Sequence, residues 1–316
     1  SIDSDDIETI EGYQGHFKIL KDCVHLSDGV IFLSEYEKHL LTKIGASKKN
    51  SKVIRNTTDL QIMEKGDSTL FKKKFGLTRY ILCVGRIETR KNQAVLALAS
   101  KTLSLPIVYI GHVGDNSYFE LLKLHSNNEF IHIDRIENRE LLASAYKGAD
   151  ALVLNSWTEG ASLTALEAGA AGTPLILSNM SSEKEYFDEW AEYIHPCDVS
   201  RLKDILERIK SKPEDEKKRE ARSKWVVKNY SIETHVSETL DFYNHILPPP
   251  KGRVNHSLNE VTYVDITHIS HALDNGMNLT GVTSLEKQAL DVLIELDNTQ
   301  FIVWNSPKRR FLTVER

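Results

Sequence analysis

Apolar residues in the middle of this chain fall in short unbroken runs separated by stretches of helical spacing, and the alternation begins at Thr78. The run Tyr80-Ile-Leu-Cys-Val84 closes on Gly85 and predicts a strand over 80–84, then a loop and a helix over 92–100. The cycle repeats as strand 106–110 closing on Gly111, helix 117–125, strand 130–133, helix 139–147, strand 151–154, helix 163–171 and strand 174–177. Gly172 and Pro174 stand just past the last of these helices, where a left-handed cap and a residue without an N–H end a helix. Strands that are apolar throughout, each followed by a helix, predict a parallel sheet covered on both faces. Ligands of such sheets bind beyond the carboxyl ends of the strands.

The flanks are less complete. After Pro213, helices are expected over 214–229 and 231–246, the second with Ser231 as its N-cap. Upstream, a helix, a strand over 29–33, a helix over 35–44 and a strand over 52–54 make about half of a second Rossmann-like sheet. Pro248-Pro-Pro250 followed by Lys251-Gly-Arg253 reads as a semi-rigid linker. Beyond it, a strand over 261–265, a helix over 282–295 and a strand over 301–304 open another α/β unit. The expected division is therefore 1–77, 78–247, a linker at 248–258 and 259–316, all of α/β class. A less favoured arrangement has residues 260–316 completing the sheet begun by 16–60.

Composition narrows the function more than the fold. With 316 residues there is room for two cores, and 41% hydrophobic and 27% charged residues describe an ordinary globule. A formal net charge of -5 argues against a nucleic-acid binder, which needs clustered cations on one face. The one basic stretch, Lys217 to Lys228, is interleaved with acids and reads first as the solvated face of a helix, and second as a peripheral membrane contact. No apolar run approaches the roughly 20 residues that cross a bilayer, and no secretory signal is present. Cys23, Cys83 and Cys197 are far apart and form no CxxC pair, which fits a reducing cytoplasm, at most at the inner face of the membrane. The start at Ser1 without Met suggests a piece of a longer chain.

Two segments carry chemistry. Glu159-Gly-Ala-Ser-Leu-Thr-Ala-Leu-Glu167 follows a strand and crosses into a helix. The N–H groups of Ala161, Ser162 and Leu163 would sit at the helix mouth, where unpaired donors and the macrodipole attract phosphate. Glu167, one turn inside, could accept two ribose hydroxyls, and Glu159, ahead of the turn, is placed for a sugar on that phosphate. The second segment, Gly85-Arg86-Ile-Glu-Thr-Arg90-Lys91-Asn92, follows the first strand of the same domain and offers Arg86 and Lys91 to a diphosphate. Taken singly, each segment also reads as surface charge; their convergence at two strand ends is the argument. Trp157 could line the sugar pocket or anchor its loop. His112, His125, His132 and His195 have no metal-ligand spacing and read as surface or packing residues.

Val84-Gly-Arg-Ile-Glu-Thr-Arg-Lys-Asn92 and the stretch from Glu159 to Ile176 together resemble, in order and separation, the strand-loop and paired-glutamate motifs of the family 4 retaining glycosyltransferases of GT-B fold. The resemblance extends through Asp28-Gly-Val-Ile-Phe-Leu-Ser34, Val53-Ile-Arg-Asn-Thr-Thr-Asp-Leu60 and Tyr230-Ser-Ile-Glu233, covering about Gly15 to Leu247. It implies that Gly85, Arg86 and Lys91 bind the donor diphosphate with Gly160, Ala161, Ser162 and Leu163, that Glu167 holds the ribose, and that Glu159 contacts the transferred sugar. Arg86 and Lys91 then share the catalytic role with Glu159, and the backbone at Arg135 and Ile136 faces the base. No metal or other cofactor is implied. The expected substrate is a nucleoside diphosphate sugar, with GDP-mannose as the donor, and the acceptor a glycan or lipid-linked glycan.

The sequence departs from the family pattern in three places. Gly160-Ala161-Ser162 replaces Gly-Phe-Gly, Arg55-Asn56-Thr57-Thr58 replaces Pro-Asn-Gly-Val, and the first strands of the N-terminal domain have no counterpart. Half a cleft lacks water exclusion and acceptor orientation, so this piece alone is expected to be inactive. Val264-Asp-Ile-Thr-His268 and Thr280-Gly-Val-Thr-Ser-Leu-Glu286 resemble the opening of polysaccharide-assembling glycosyltransferases, implying further glycosyltransferase modules in the same parent and a role in bacterial surface polysaccharide synthesis. The alternative is a non-catalytic nucleotide-sugar-binding or scaffold module. A Rossmann oxidoreductase is disfavoured because no GxGxxG follows any predicted strand.

Overall fold

The computed structural model describes residues 14–246, apart from 44 and 46–48, and three strands beyond them. The chain divides into two compact units, 1–247 and 248–316. The first opens with α1 (Gln14–Leu26), β1 (Val30–Phe32), α2 (Glu35–Lys43) and β2 (Ser51–Val53), β1 and β2 forming a two-stranded parallel sheet. Two short helices follow, α3 (Leu60–Glu64) and α4 (Ser68–Phe75).

The main sheet is built from β3 (Ile81–Val84), β4 (Ile107–Ile110), β5 (Phe130–Ile133), β6 (Ala151–Leu154), β7 (Leu175–Ser178) and β8 (Ala191–Ile194). Its order is β5-β4-β3-β6-β7-β8, with every pairing parallel. Between the strands run α5 (Gln93–Ser100), α6 (Asn116–His125), α7 (Arg139–Gly148), α8 (Leu163–Ala170) and α9 (Glu183–Phe187). Then come α10 (Val199–Ser211), α11 (Glu216–Asn229) and α12 (Ile232–Ile246). This is the expected α/β class: a doubly wound, Rossmann-like sheet with partial second elements beside it.

The strands alternate their side chains between two cores, as a pleat requires. Leu82, Val108, Leu152 and Leu175 face a layer holding Tyr146, Leu166 and Val226. Ile81, Tyr109, Val153 and Ile176 face one holding Leu96, Leu122 and Leu202. β4, β6 and β7 are buried at every position, which is why each reads as an unbroken apolar run. Helix starts are set locally: Asp67, Asp115, Asn138, Ser162, Asp198 and Asp215 each accept an N–H of the first turn that follows.

The division expected at 77/78 falls inside a packed region. Leu60, Met63 and Phe71 lie in the same core as Tyr80 and Tyr146, and α3 and α4 pack on α7. The upstream segment is tied to the main sheet through α9 and α12. Glu185 accepts the N–H groups of Glu35 and Tyr36 at 2.8 and 2.7 Å, capping α2 from outside. The Tyr186 hydroxyl donates to the Leu33 carbonyl and accepts the Asn56 N–H. His235 meets the Arg55 carbonyl at 2.9 Å.

In the second unit β9 (Thr262–Asp265) pairs parallel with β10 (Thr299–Asn305), and β10 pairs antiparallel with β11 (Arg310–Val314). These strands form a three-stranded sheet. The helix expected over 282–295 lies outside the described residues.

Gly111 ends β4 at φ 153°, and a Cβ there would come within 2.1 Å of the Gly85 carbonyl oxygen. Gly111→Ala is expected to destabilise the fold by about 2–4 kcal/mol, read as a lower urea midpoint. A variant within about 0.5 kcal/mol of the parent would contradict this packing.

Candidate functional site

The strand order reverses direction between β3 and β6, so their following loops diverge and leave a crevice at the carboxyl edge. Gly85 leaves β3 at φ 148°, a conformation side chains resist, and turns the chain into the Arg86–Asn92 loop. The loop after β6 runs from Asn155 to Ser162, the N-cap of α8.

Three contacts lock the two loops together. Lys91 Nζ lies 2.6 Å from Glu159 Oε1, and both side chains are largely buried. Asn92, held at φ 55°, donates from Nδ2 to the carbonyls of Asn155 at 3.0 Å and Pro196 at 2.9 Å. A non-glycine residue in the left-handed region is strained, and here the side chain fixes it to two other loops. Trp157, 45% exposed, is anchored by its N–H on the Arg90 carbonyl.

Arg90 joins this group from the solvent side. It donates to the Thr158 carbonyl, reaches Glu159 Oε2 at 3.6 Å and pairs with Glu88 at 2.9 Å. Arg86 stands apart from Glu159. Its guanidinium is 67% exposed and lies 3.7 Å from Glu88, while its stem covers Gly114 beyond β4. Arg86 and Lys91 thus flank Glu88 and Arg90 along one loop without sharing a partner.

Ser162 uses its hydroxyl on the Ala165 N–H, so the substitution of glycine by serine is absorbed by the helix cap. A Cβ on Gly160 would meet nothing within 4 Å, so the turn before the cap is open. Ala161 and Leu163 rest partly against the core. Glu167, 8% exposed, is held on both oxygens: Arg139 Nη1 donates to one at 2.7 Å and the Tyr146 hydroxyl to the other at 2.9 Å. Burial, and then the Glu167 charge, push the Tyr146 hydroxyl well above its ordinary range, so it stays a donor. Arg135 is exposed in the loop after β5, and Ile136 packs on the core beside it.

The structure therefore brings Gly85, Lys91, Glu159 and the 160–163 turn to one crevice, with Glu167 buried on the first helix behind them and Arg86 at the rim. Arg139, Asn155 and Glu183 were not singled out from sequence. Four of the five buried side-chain polar atoms without a partner among the described residues lie in these strand-end segments: Gln93 Oε1, Asn155 Oδ1, Ser156 Oγ and Glu183 Oε1. Buried polar atoms are normally satisfied, and these four lie close to the strand-end loops that form the crevice. Of the histidines, His112 meets Asp134 at 3.1 Å and His132 the Gly111 carbonyl at 2.9 Å. No described helix is long and apolar enough to cross a membrane.

The fold and crevice define a Rossmann-like α/β protein of the GT-B class. The chain belongs to the glycosyl transferases group 1 family, whose profile matches residues 67–226. It is similar to the D-inositol 3-phosphate glycosyltransferase of Mycobacteroides abscessus, 27% identical over 167 residues, covering 49% of this chain and 38% of that protein. It is also similar to the O-antigen chain mannosyltransferase B of Escherichia coli, 28% identical over 176 residues, covering 52% and 45%. The chain thus spans less than half the length of these relatives. Among solved structures, sucrose-phosphate synthase from Thermosynechococcus elongatus superposes with a TM-score of 0.66 at 19% identity, over 78% of this chain and 66% of that one. Anabaena HepE, solved in complex with UDP and glucose, gives 0.64 at 16% identity, over 72% and 67%.

Lys91→Ala leaves Glu159 buried without its ammonium and is expected to destabilise the fold by about 2–3 kcal/mol. Adding Glu159→Gln should recover at least about 1 kcal/mol of that loss, read by urea denaturation. Strictly additive losses would show that the two side chains do not act as a pair.

Proposed function

We propose that residues 78–247 form the donor half of a retaining family 4 glycosyltransferase that takes a nucleoside diphosphate sugar. The single observation that carries this reading is the Lys91–Glu159 pair at 2.6 Å, bridging two strand-end loops beside the open mouth of α8. The diphosphate is bound by Lys91, Arg86 and the N–H groups at that mouth, where cations and a helix dipole favour negative charge. Glu159 meets the transferred sugar, and Glu167 meets the ribose. Arg135 and Ile136 offer backbone to the base.

In the reaction the bond from the anomeric carbon to the diphosphate oxygen breaks, and its electron pair leaves with the diphosphate. The acceptor oxygen bonds to that carbon on the same face, and its proton passes to the departing phosphate. The cations that neutralise the leaving group supply the main transition-state stabilisation, and the proposed chemistry uses no metal. The likeness to a protein named as an O-antigen chain mannosyltransferase supports surface polysaccharide synthesis and a mannosyl donor, for which we take GDP-mannose, with a glycan or lipid-linked glycan as acceptor. The neighbour solved with UDP and glucose supports testing a uridine donor as well.

A thermal-shift titration with GDP-mannose and UDP-glucose tests the donor site. Saturation at about 100 times Kd should stabilise the chain by about 2.7 kcal/mol. Glu167→Ala should weaken both sugar nucleotides, and Arg86→Ala should weaken them more than it weakens the bare nucleoside. Affinities equal to those of the parent in both variants would overturn the assignment.

A further inference from the structure

Arg139 is the first residue of α7, directly after the loop from β5 that carries Arg135 and Ile136. Asn138 caps the helix by accepting the Leu141 N–H at 2.7 Å, which fixes the point from which the Arg139 side chain leaves the backbone. Tyr146 stands two turns further along the same face of α7. Both side chains end on Glu167 of α8, which is 8% exposed. Arg139 Nη1 donates to Oε1 at 2.7 Å and the Tyr146 hydroxyl to Oε2 at 2.9 Å, so one oxygen is engaged by a cation and the other by a neutral donor.

The two partners differ in what they leave over. Tyr146 is fully buried, and its single proton is spent on Glu167. The Arg139 side chain is 40% exposed, and among the described residues its hydrogen bonding goes to Glu167 alone. A guanidinium carries several N–H donors in a planar fork, so others remain beside the Oε1 that Nη1 holds. A carboxylate in turn accepts on about four lone pairs, and the protein uses one on each Glu167 oxygen. The vicinal hydroxyls of a ribose match what is left, one O–H donating to each oxygen. A hydroxyl oxygen is also an acceptor, and the carboxylate offers it nothing in return. For the hydroxyl that settles on Oε1, the guanidinium sharing that oxygen is the donor within reach.

We propose that Arg139 is a specificity-determining residue of the donor site: with Glu167 it reads one ribose hydroxyl as donor and acceptor at once, and so selects ribonucleoside over deoxyribonucleoside diphosphates. The inference rests on the donor-site reading above, in which Glu167 meets the ribose. Replacing that hydroxyl by hydrogen strands a carboxylate lone pair and a guanidinium N–H together, where the carboxylate is nearly closed off from water. A site built on such hydrogen bonds rejects the analogue far more strongly than an apolar pocket rejects a change of size. The Arg139–Glu167 pair is also neutral as a unit, so an uncharged diol joins it without leaving a buried charge unbalanced.

The test is calorimetry of the full chain with GDP and UDP, each compared with its 2′-deoxy and 3′-deoxy forms, in the parent, Arg139→Ala and Arg139→Met. For whichever base binds, the parent should prefer the ribose over at least one deoxy form by about 100-fold or more. Both variants should cut that preference by about tenfold, the loss of one hydrogen bond to a charged group, and bind the same deoxy form within about twofold of the parent. Arg139→Met keeps the length of the stem and decides the matter where Arg139→Ala does not fold. A preference unchanged in the variants, or an equal loss of the ribose and deoxy forms, would overturn the proposal alone. Equal affinity of the parent for ribose and both deoxy forms would overturn it together with the ribose role of Glu167, while leaving diphosphate binding intact. Binding of neither nucleotide would overturn the donor-site reading and this inference with it.

Discussion

The ion pair between Lys91 and Glu159 is the contact on which the crevice depends. Two charges taken largely out of water lose hydration worth several kcal/mol each, and their attraction repays this only with close geometry and further hydrogen bonds. Here the separation is 2.6 Å, and Arg90 adds a second cation at 3.6 Å from the other oxygen. The Asn92 amide then fixes the same loop to the carbonyls of Asn155 and Pro196. Sheet order brings these loops side by side, and the ion pair holds them there. The strain at Asn92 is sustained because three strand-end loops meet on its side chain.

Glu167 and Glu183 show two ways of burying a carboxylate at one site. Glu167 has a donor on each oxygen, from Arg139 and Tyr146, so its charge is compensated before any ligand arrives. Glu183 has a hydroxyl on one oxygen and nothing on the other. α9 divides its side chains between the two regions of the unit. Glu183 lies against the crevice, whereas Glu185 and Tyr186 hold α2 and the link at Leu33 and Asn56. The helix that borders the crevice is thus also the one on which the upstream segment docks.

Much of this was legible in the chain. The central strands read as unbroken apolar runs because both their faces are covered, and the helix after β6 announced its end through Gly172 and Pro174. The convergence of the Gly85–Asn92 and Glu159–Glu167 segments followed from parallel topology alone. β8 escaped because it is an edge strand, half exposed and interrupted by Glu192. α3 and α9 escaped because five residues hold too few turns to show a period, and α4 because it buries only Phe71 and so has no apolar stripe. α10 buries only Leu202, Ile205 and Leu206 among thirteen residues that are otherwise largely polar, a weaker signal than the neighbouring apolar strands. Arg139 binds a partner 28 residues away, Asn155 a distant loop carbonyl, and Glu183 is buried with only one of its oxygens bonded; none of these leaves a local pattern.

The most direct test is a crystal structure of the chain soaked with GDP-mannose or UDP-glucose. The account predicts diphosphate density within hydrogen-bond reach of Lys91 Nζ and the backbone N–H groups at the mouth of α8, with the sugar beside Glu159. Ordered donor density on any other part of the molecule, with this crevice empty, would contradict it.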